Sequence, residues 1–248
     1  MKKLLKRKYL FFLFISLIIS SSSAFSQNQK DALTPTDRLH LDWWKNRHEE
    51  KTAQSESLPQ LILLGNSIFH TLDYAESRDV WSKYLNHFHT LNLGFSGDRT
   101  ENVIWRIENG EIDYMNPKLF LLLIGTNNTD GNHFLSITQP EELQNAVWKI
   151  CQIIKKKHPE SKILLLGIFP YGYKPNYRDN LNKRTNKYLS EFPKKDKNIY
   201  YRDIGEIFLD ENGKIDKKLM PDYLHPNAKG HMLLFKTLAP FMEELMVE

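Results

Sequence analysis

One stretch limits the fold more than any other: Leu119-Phe120-Leu121-Leu122-Leu123-Ile124-Gly125. An unbroken apolar run leaves neither face of a strand for water, and a Gly stops it. Such a strand belongs in the middle of a parallel sheet with helices over both sides. Three further strand candidates also end in Gly: 61–64 before Gly65, 90–93 before Gly94, and 162–166 before Gly167. Ile199-Tyr200-Tyr201 supplies a fifth strand.

Helical signals separate these runs. Helices are predicted over 37–51, with Leu39, Trp43 and Trp44 as apolar surface, and around 79–87. Asp98 with Glu101 three residues on reads as a helix start, followed by the stripe Val103, Ile104 and Ile107. Thr138-Gln139-Pro140-Glu141 has capping-box spacing and an early Pro. Leu143, Val147, Ile150, Cys151 and Ile154 follow at helical spacing, which makes Cys151 a core residue. A helix over 177–192 and a last one carrying Leu233, Leu234, Leu238 and Phe241 complete the series. Strand and helix alternate five times, which is the pattern of a three-layer α/β/α domain around a parallel sheet.

The N-terminus belongs to a different class. Met1-Lys2-Lys3-Leu4-Leu5-Lys6-Arg7-Lys8, an apolar run over 9–19 and a Ser-rich end describe an export signal. Its apolar core is short of the ~20 residues of a membrane span, so no stable anchor is expected after cleavage. Ala24-Phe25-Ser26 fits a cleavage site near Ser26 and implies a secreted or periplasmic protein. The expected organisation is a signal over 1–26, a lead-in and helix over 27–58, and one main domain over 59–248. The whole chain carries a formal +4, but the signal holds five cations and no acid, leaving −1 on 27–248. That balance gives no argument for nucleic acid. The single cysteine excludes an internal disulfide, and a domain of this size can stand on its core.

Four stretches fall at strand ends or just before a helix: Gly65-Asn66-Ser67, Gly94, Gly125-Thr126-Asn127-Asn128 and Asp222-Tyr223-Leu224-His225. Ligands of open α/β sheets bind at the carboxyl ends of strands. Acyl transfer by serine needs a hydroxyl, a base for its proton, a carboxylate to orient the base, and donors for the oxyanion. Ser67 can be the nucleophile, His225 the base and Asp222 the acid, three residues earlier. The amides of Ser67 and Gly94 with the Asn127 side chain can form the oxyanion hole. The bland reading of Ser67 is a helix N-cap. Asp203 is a rival acid, too far along the chain to be tied locally to His225. His87, His89 and His133 lack the Cys or Glu of a familiar zinc set, so no metal is expected.

These stretches resemble the SGNH (GDSL-like) hydrolases. Within them the chain is most similar to the catalytic subunits of brain-type platelet-activating factor acetylhydrolase and to bacterial carbohydrate acetylesterases. The resemblance runs from Leu61 onward. It includes Gly97-Asp98-Arg99-Thr100-Glu101-Asn102-Val103-Ile104-Trp105-Arg106, Pro117-Lys118, Gly125-Thr126-Asn127-Asn128 and Lys174-Pro175-Asn176. It implies a flavodoxin-like five-stranded sheet of order 2-1-3-4-5, the site roles given above, and neither metal nor cofactor. Asn66 stands where the family usually has Asp, and Phe69 replaces a small hydroxyl residue. The expected activity is a serine esterase removing small acyl groups, acetyl first, from a carbohydrate. A lipid acyl hydrolase and a catalytically silent carbohydrate-binding relative are the alternatives. The expected cleft loops carry Phe69, His70, Phe95, Tyr171 and Tyr173, with Tyr177 and Tyr223, and Tyr suits the mixed surface of a sugar.

Overall fold

The computed structural model of the chain describes residues 32–173 and 175–247. The expected export signal and the first residues of the lead-in lie outside them. Within the compact unit that begins at Ala32, five strands form one sheet: β1 Leu61–Gly65, β2 Thr90–Gly94, β3 Leu119–Leu123, β4 Lys162–Leu166 and β5 Ile199–Arg202. All neighbours are parallel and the order is β2-β1-β3-β4-β5. The expected sheet and three-layer fold are therefore those observed. Gly65 pairs in register with Gly94 on one side and Leu123 on the other, so three loops leave the same carboxyl edge side by side.

The helices used below are α1 Asp42–Gln54, α2 Ser67–His70, α3 Arg78–Val80, α4 Thr100–Glu108, α5 Pro140–Lys157, α6 Tyr177–Leu189 and α7 Ala228–Val247. Side chains alternate across a strand, so each apolar run feeds two cores. Leu61, Leu63, Leu119 and Leu121 join Leu234, Phe235 and Leu238 of α7. Ile62, Leu64, Phe120 and Leu122 join Ile107 of α4 and Leu143 and Val147 of α5. Cys151 is buried in this second core. Each fully buried side chain of this kind contributes about 1.5–3 kcal/mol relative to exposure.

Several helix starts differ from the sequence expectation. Residues 37–38 are coil, 39–41 form a turn, and α1 begins at Asp42. The 79–87 helix is a short α-turn, a π-turn over Trp81–Leu85 and a 3-10 turn over Asn86–Phe88. Asp98 does not cap α4. Arg99 is the cap residue, its N–H donating to Asn102 Oδ1 at 3.0 Å. The Thr138 capping box does not form either: its hydroxyl accepts from Arg99 Nη2 at 3.2 Å, and α5 starts from Gln139 with Pro140 in its first turn. No helix among the described residues is long and apolar enough to cross a membrane.

Candidate active site

Asn66 caps α2, not Ser67. Its Oδ1 accepts the Ile68 N–H at 3.0 Å, and its backbone carbonyl accepts the His70 N–H. Ser67 is thus the first helical residue, with its hydroxyl free of capping duty and its own N–H without an intrahelical acceptor. The close fit behind it explains the two glycines. A Cβ on Gly65 would sit 2.2 Å from the Leu123 carbonyl oxygen, and one on Gly94 2.4 Å from the His70 nitrogen. Gly65 lets β1 lie close against the end of β3, and Gly94 lets α2 settle onto the end of β2.

His225 arrives from the loop before α7. Tyr223 takes φ 61°, a left-handed conformation uncommon for a bulky residue. The tight turn lets one carboxylate hold the whole loop. Asp222 Oδ1 accepts the N–H groups of Leu224 (3.0 Å) and His225 (2.7 Å). Its Oδ2 lies 2.6 Å from His225 Nδ1. His225 Nε2 in turn lies 2.8 Å from Ser67 Oγ. Desolvation pushes the Asp222 carboxyl up, but the backbone and side-chain hydrogen bonds and charge of His225 outweigh it and hold the group below its ordinary value. Asp203 is engaged elsewhere, by Asn186 Nδ2 at 3.1 Å.

Asn127 is buried near the start of the loop after β3. Its Nδ2 donates one hydrogen to the Asp98 carbonyl at 2.9 Å, and the amide has a second. Asp98 is itself fixed by Arg106 Nε (2.8 Å), Trp44 Nε1 (2.8 Å) and Arg38 Nη1 (3.1 Å). Arg106 also pairs with Glu111 and donates to the Leu93 carbonyl at 3.2 Å. This buried network sets the position of Asn127, and the sequence reading missed it. The available signal was Arg106 itself, a cation on the helical face shared by Asn102, Val103 and Ile107. Arg178 was missed as well. Its guanidinium is 3.0 Å from Asp130 Oδ2 and lies over the Tyr171 ring at 3.8 Å.

An open cleft of about 630 Å³ brings Ser67, Asn127, Asp222 and His225 together with Thr71, Tyr171 and Arg178. The Gly94 N–H is not on its wall and donates to Asn92 Oδ1 at 2.9 Å. Of the expected substrate contacts, Tyr171 alone lines the cleft. Phe69 and Phe95 are fully buried: Phe69 packs under α2, and Phe95 stacks on Arg106 at 3.9 Å. Phe69 points from α2 into the core shared with α7, and Phe95 is covered by Trp44 and Arg47 of α1 and Arg106 of α4. Tyr173 lines a separate small pocket with Pro175. His70 fastens the loop after β2, its Nδ1 accepting the Ser96 N–H at 3.1 Å. Burial, then the charge of Arg47, lowers its pKa to about 4.

Comparison with known proteins identifies the family. The profile of the GDSL-like Lipase/Acylhydrolase family matches residues 63–233. The chain is 29% identical over 208 residues to the rat platelet-activating factor acetylhydrolase IB subunit alpha2, covering 84% of this chain and 86% of the relative. A GDSL-like lipase from Bacteroides thetaiotaomicron superposes with TM-score 0.60 at 15% identity, over 79% of this chain and 97% of that one. A variant of an acetyl-xylooligosaccharide esterase from Geobacillus stearothermophilus gives TM-score 0.58 at 16% identity, over 75% and 94%. The two structural likenesses are of fold. The profile match spans most of the chain, and with it the protein is a carboxylic-ester hydrolase that belongs to the GDSL-like lipase/acylhydrolase family.

Proposed function

We propose that the protein is an exported serine esterase that removes short acyl groups, acetyl first, from carbohydrates through Ser67, His225 and Asp222. The observation that carries this reading is the chain of contacts from Ser67 Oγ to His225 Nε2 (2.8 Å) and from His225 Nδ1 to Asp222 Oδ2 (2.6 Å). Ser67 Oγ attacks the ester carbonyl carbon while His225 Nε2 takes the hydroxyl proton. Asp222 holds the tautomer and balances the imidazolium. The Ser67 N–H and the second hydrogen of Asn127 Nδ2 receive the oxyanion. His225 then protonates the departing alkoxide, leaving acyl-Ser67. A water repeats the sequence and releases the carboxylic acid.

Two of the similar proteins support acetyl as the acyl group. One is named an acetylhydrolase and the other an acetyl-xylooligosaccharide esterase, so they differ in alcohol and share the acid. Tyr171 in the cleft supports a sugar as the alcohol. The basic, apolar and small-residue order of 1–26 supports export. The test is acetate release from a panel of acetylated plant and bacterial glycans, beside acetyl and octanoyl esters of one alcohol. Release from at least one glycan is expected, with kcat/KM falling steeply from acetyl to octanoyl. Faster octanoyl hydrolysis with no acetate from any glycan favours a lipid acyl hydrolase instead.

A further inference from the structure

A second open pocket, of about 550 Å³, lies beside the triad. Thr71 lines both this pocket and the catalytic cleft. Pro226, the residue after His225, forms part of its wall. The two pockets are therefore neighbours across Thr71.

The lining has the chemistry of a polar, ring-shaped ligand. Tyr74 stands on it 51% exposed. Its ring ends a row in which Trp43 and His70 lie 5.8 Å apart and His70 and Tyr74 5.9 Å apart. Glu76 offers a carboxylate for hydroxyl donors. Lys218 and Lys229 face the same space from the loop before α7 and from its first turn. Neither lysine has a carboxylate in ion-pair range among the described residues. The chain from 27 onward has a formal charge of −1, so two unpaired cations in one pocket are a local feature and not part of a generally basic surface.

We propose that this pocket binds the alcohol portion of the substrate, and that this portion is a glycan residue bearing an anionic group, a carboxylate or a phosphate. The proposal rests on the esterase reading of Ser67. Tyr74 gives the sugar an apolar face to lie on, and Lys218 and Lys229 supply charge-assisted hydrogen bonds to the anion.

The test compares kcat/KM for acetylated neutral xylooligosaccharides, the same oligosaccharides bearing glucuronic acid, and an acetylated sugar phosphate. It uses the wild type, Lys218→Met/Lys229→Met and Lys218→Arg/Lys229→Arg. The wild type is expected to prefer an anionic over the neutral glycan by about tenfold, as two exposed charged contacts together allow. The Met pair should bring the ratio near one, and the Arg pair should keep it. A ratio taken within one preparation does not depend on the fraction folded. Preference for the glucuronate or for the phosphate substrate identifies the source of the anion. A wild-type ratio near one, or an undiminished ratio in the Met pair, overturns the proposal. Hydrolysis of 4-nitrophenyl acetate is run alongside. If that hydrolysis is absent, the esterase reading fails; if it is present without any anion preference, only the pocket's role fails.

Discussion

Asn127 shows how a residue acts through what holds it. Its Nδ2 is aimed by the Asp98 carbonyl and lies on the wall that also presents Ser67. Asn127→Ala is expected to lower kcat by about 10²–10³ with little change in KM, the usual loss for one oxyanion donor. Steady-state kinetics decide it, because a change in KM alone marks a ground-state contact. His225 has to be neutral to accept the Ser67 proton. Hence kcat/KM should rise with pH through the loss of a single proton. Asp222, whose carboxyl is held below its ordinary value, stays ionised across that rise and adds no second acid limb. A profile flat from pH 5 to 9 contradicts a histidine base. At this scale the triad was legible because its hardest contact is local: Asp222 and His225 are three residues apart, and one tight turn joins them. The aromatic contacts were not legible. Phe69 and Phe95 look like loop residues in sequence, and only long-range packing, of Phe69 into the core with α7 and of Phe95 against α1 and α4, buries them.

Elements tell a similar story. The strands could be read because a run apolar on both faces has few other places to go. Helix starts could not, because a capping side chain can be claimed by a distant partner. Asp98 is taken by Arg106, Trp44 and Arg38, and Thr138 by Arg99. The same claims make α4 a brace. Arg106 joins the buried carboxylates of Asp98 and Glu111 to the end of β2. Arg106→Met keeps an unbranched apolar stem but removes the guanidinium that lies between the two buried acids, leaving Asp98 to Arg38 and Trp44 and Glu111 to His48. The expected destabilisation is about 3–5 kcal/mol by urea unfolding, with loss of activity as Asp98 and then Asn127 shift. A variant within 1 kcal/mol of the wild type shows that the network is not a structural tie.

Across the whole molecule, the sheet brings together residues that the chain keeps far apart. Ser67 and His225 are 158 positions apart and meet because β1, β2 and β3 end level beneath the α7 loop. The sequence order of the four stretches pointed to that meeting, but it gave no view of the second pocket, whose wall comes from segments around Tyr74, Lys218 and Lys229. The account stands on one claim, that the Ser67 hydroxyl is the attacking group. The most direct measurement is acetate release from 4-nitrophenyl acetate by wild type and Ser67→Ala, with a thermal melt of each. The variant is expected to melt like the wild type, since Ser67 contributes little packing, and to lose at least about 10⁴ in kcat. A Ser67→Ala protein that melts normally and keeps more than about a tenth of wild-type turnover contradicts the claim.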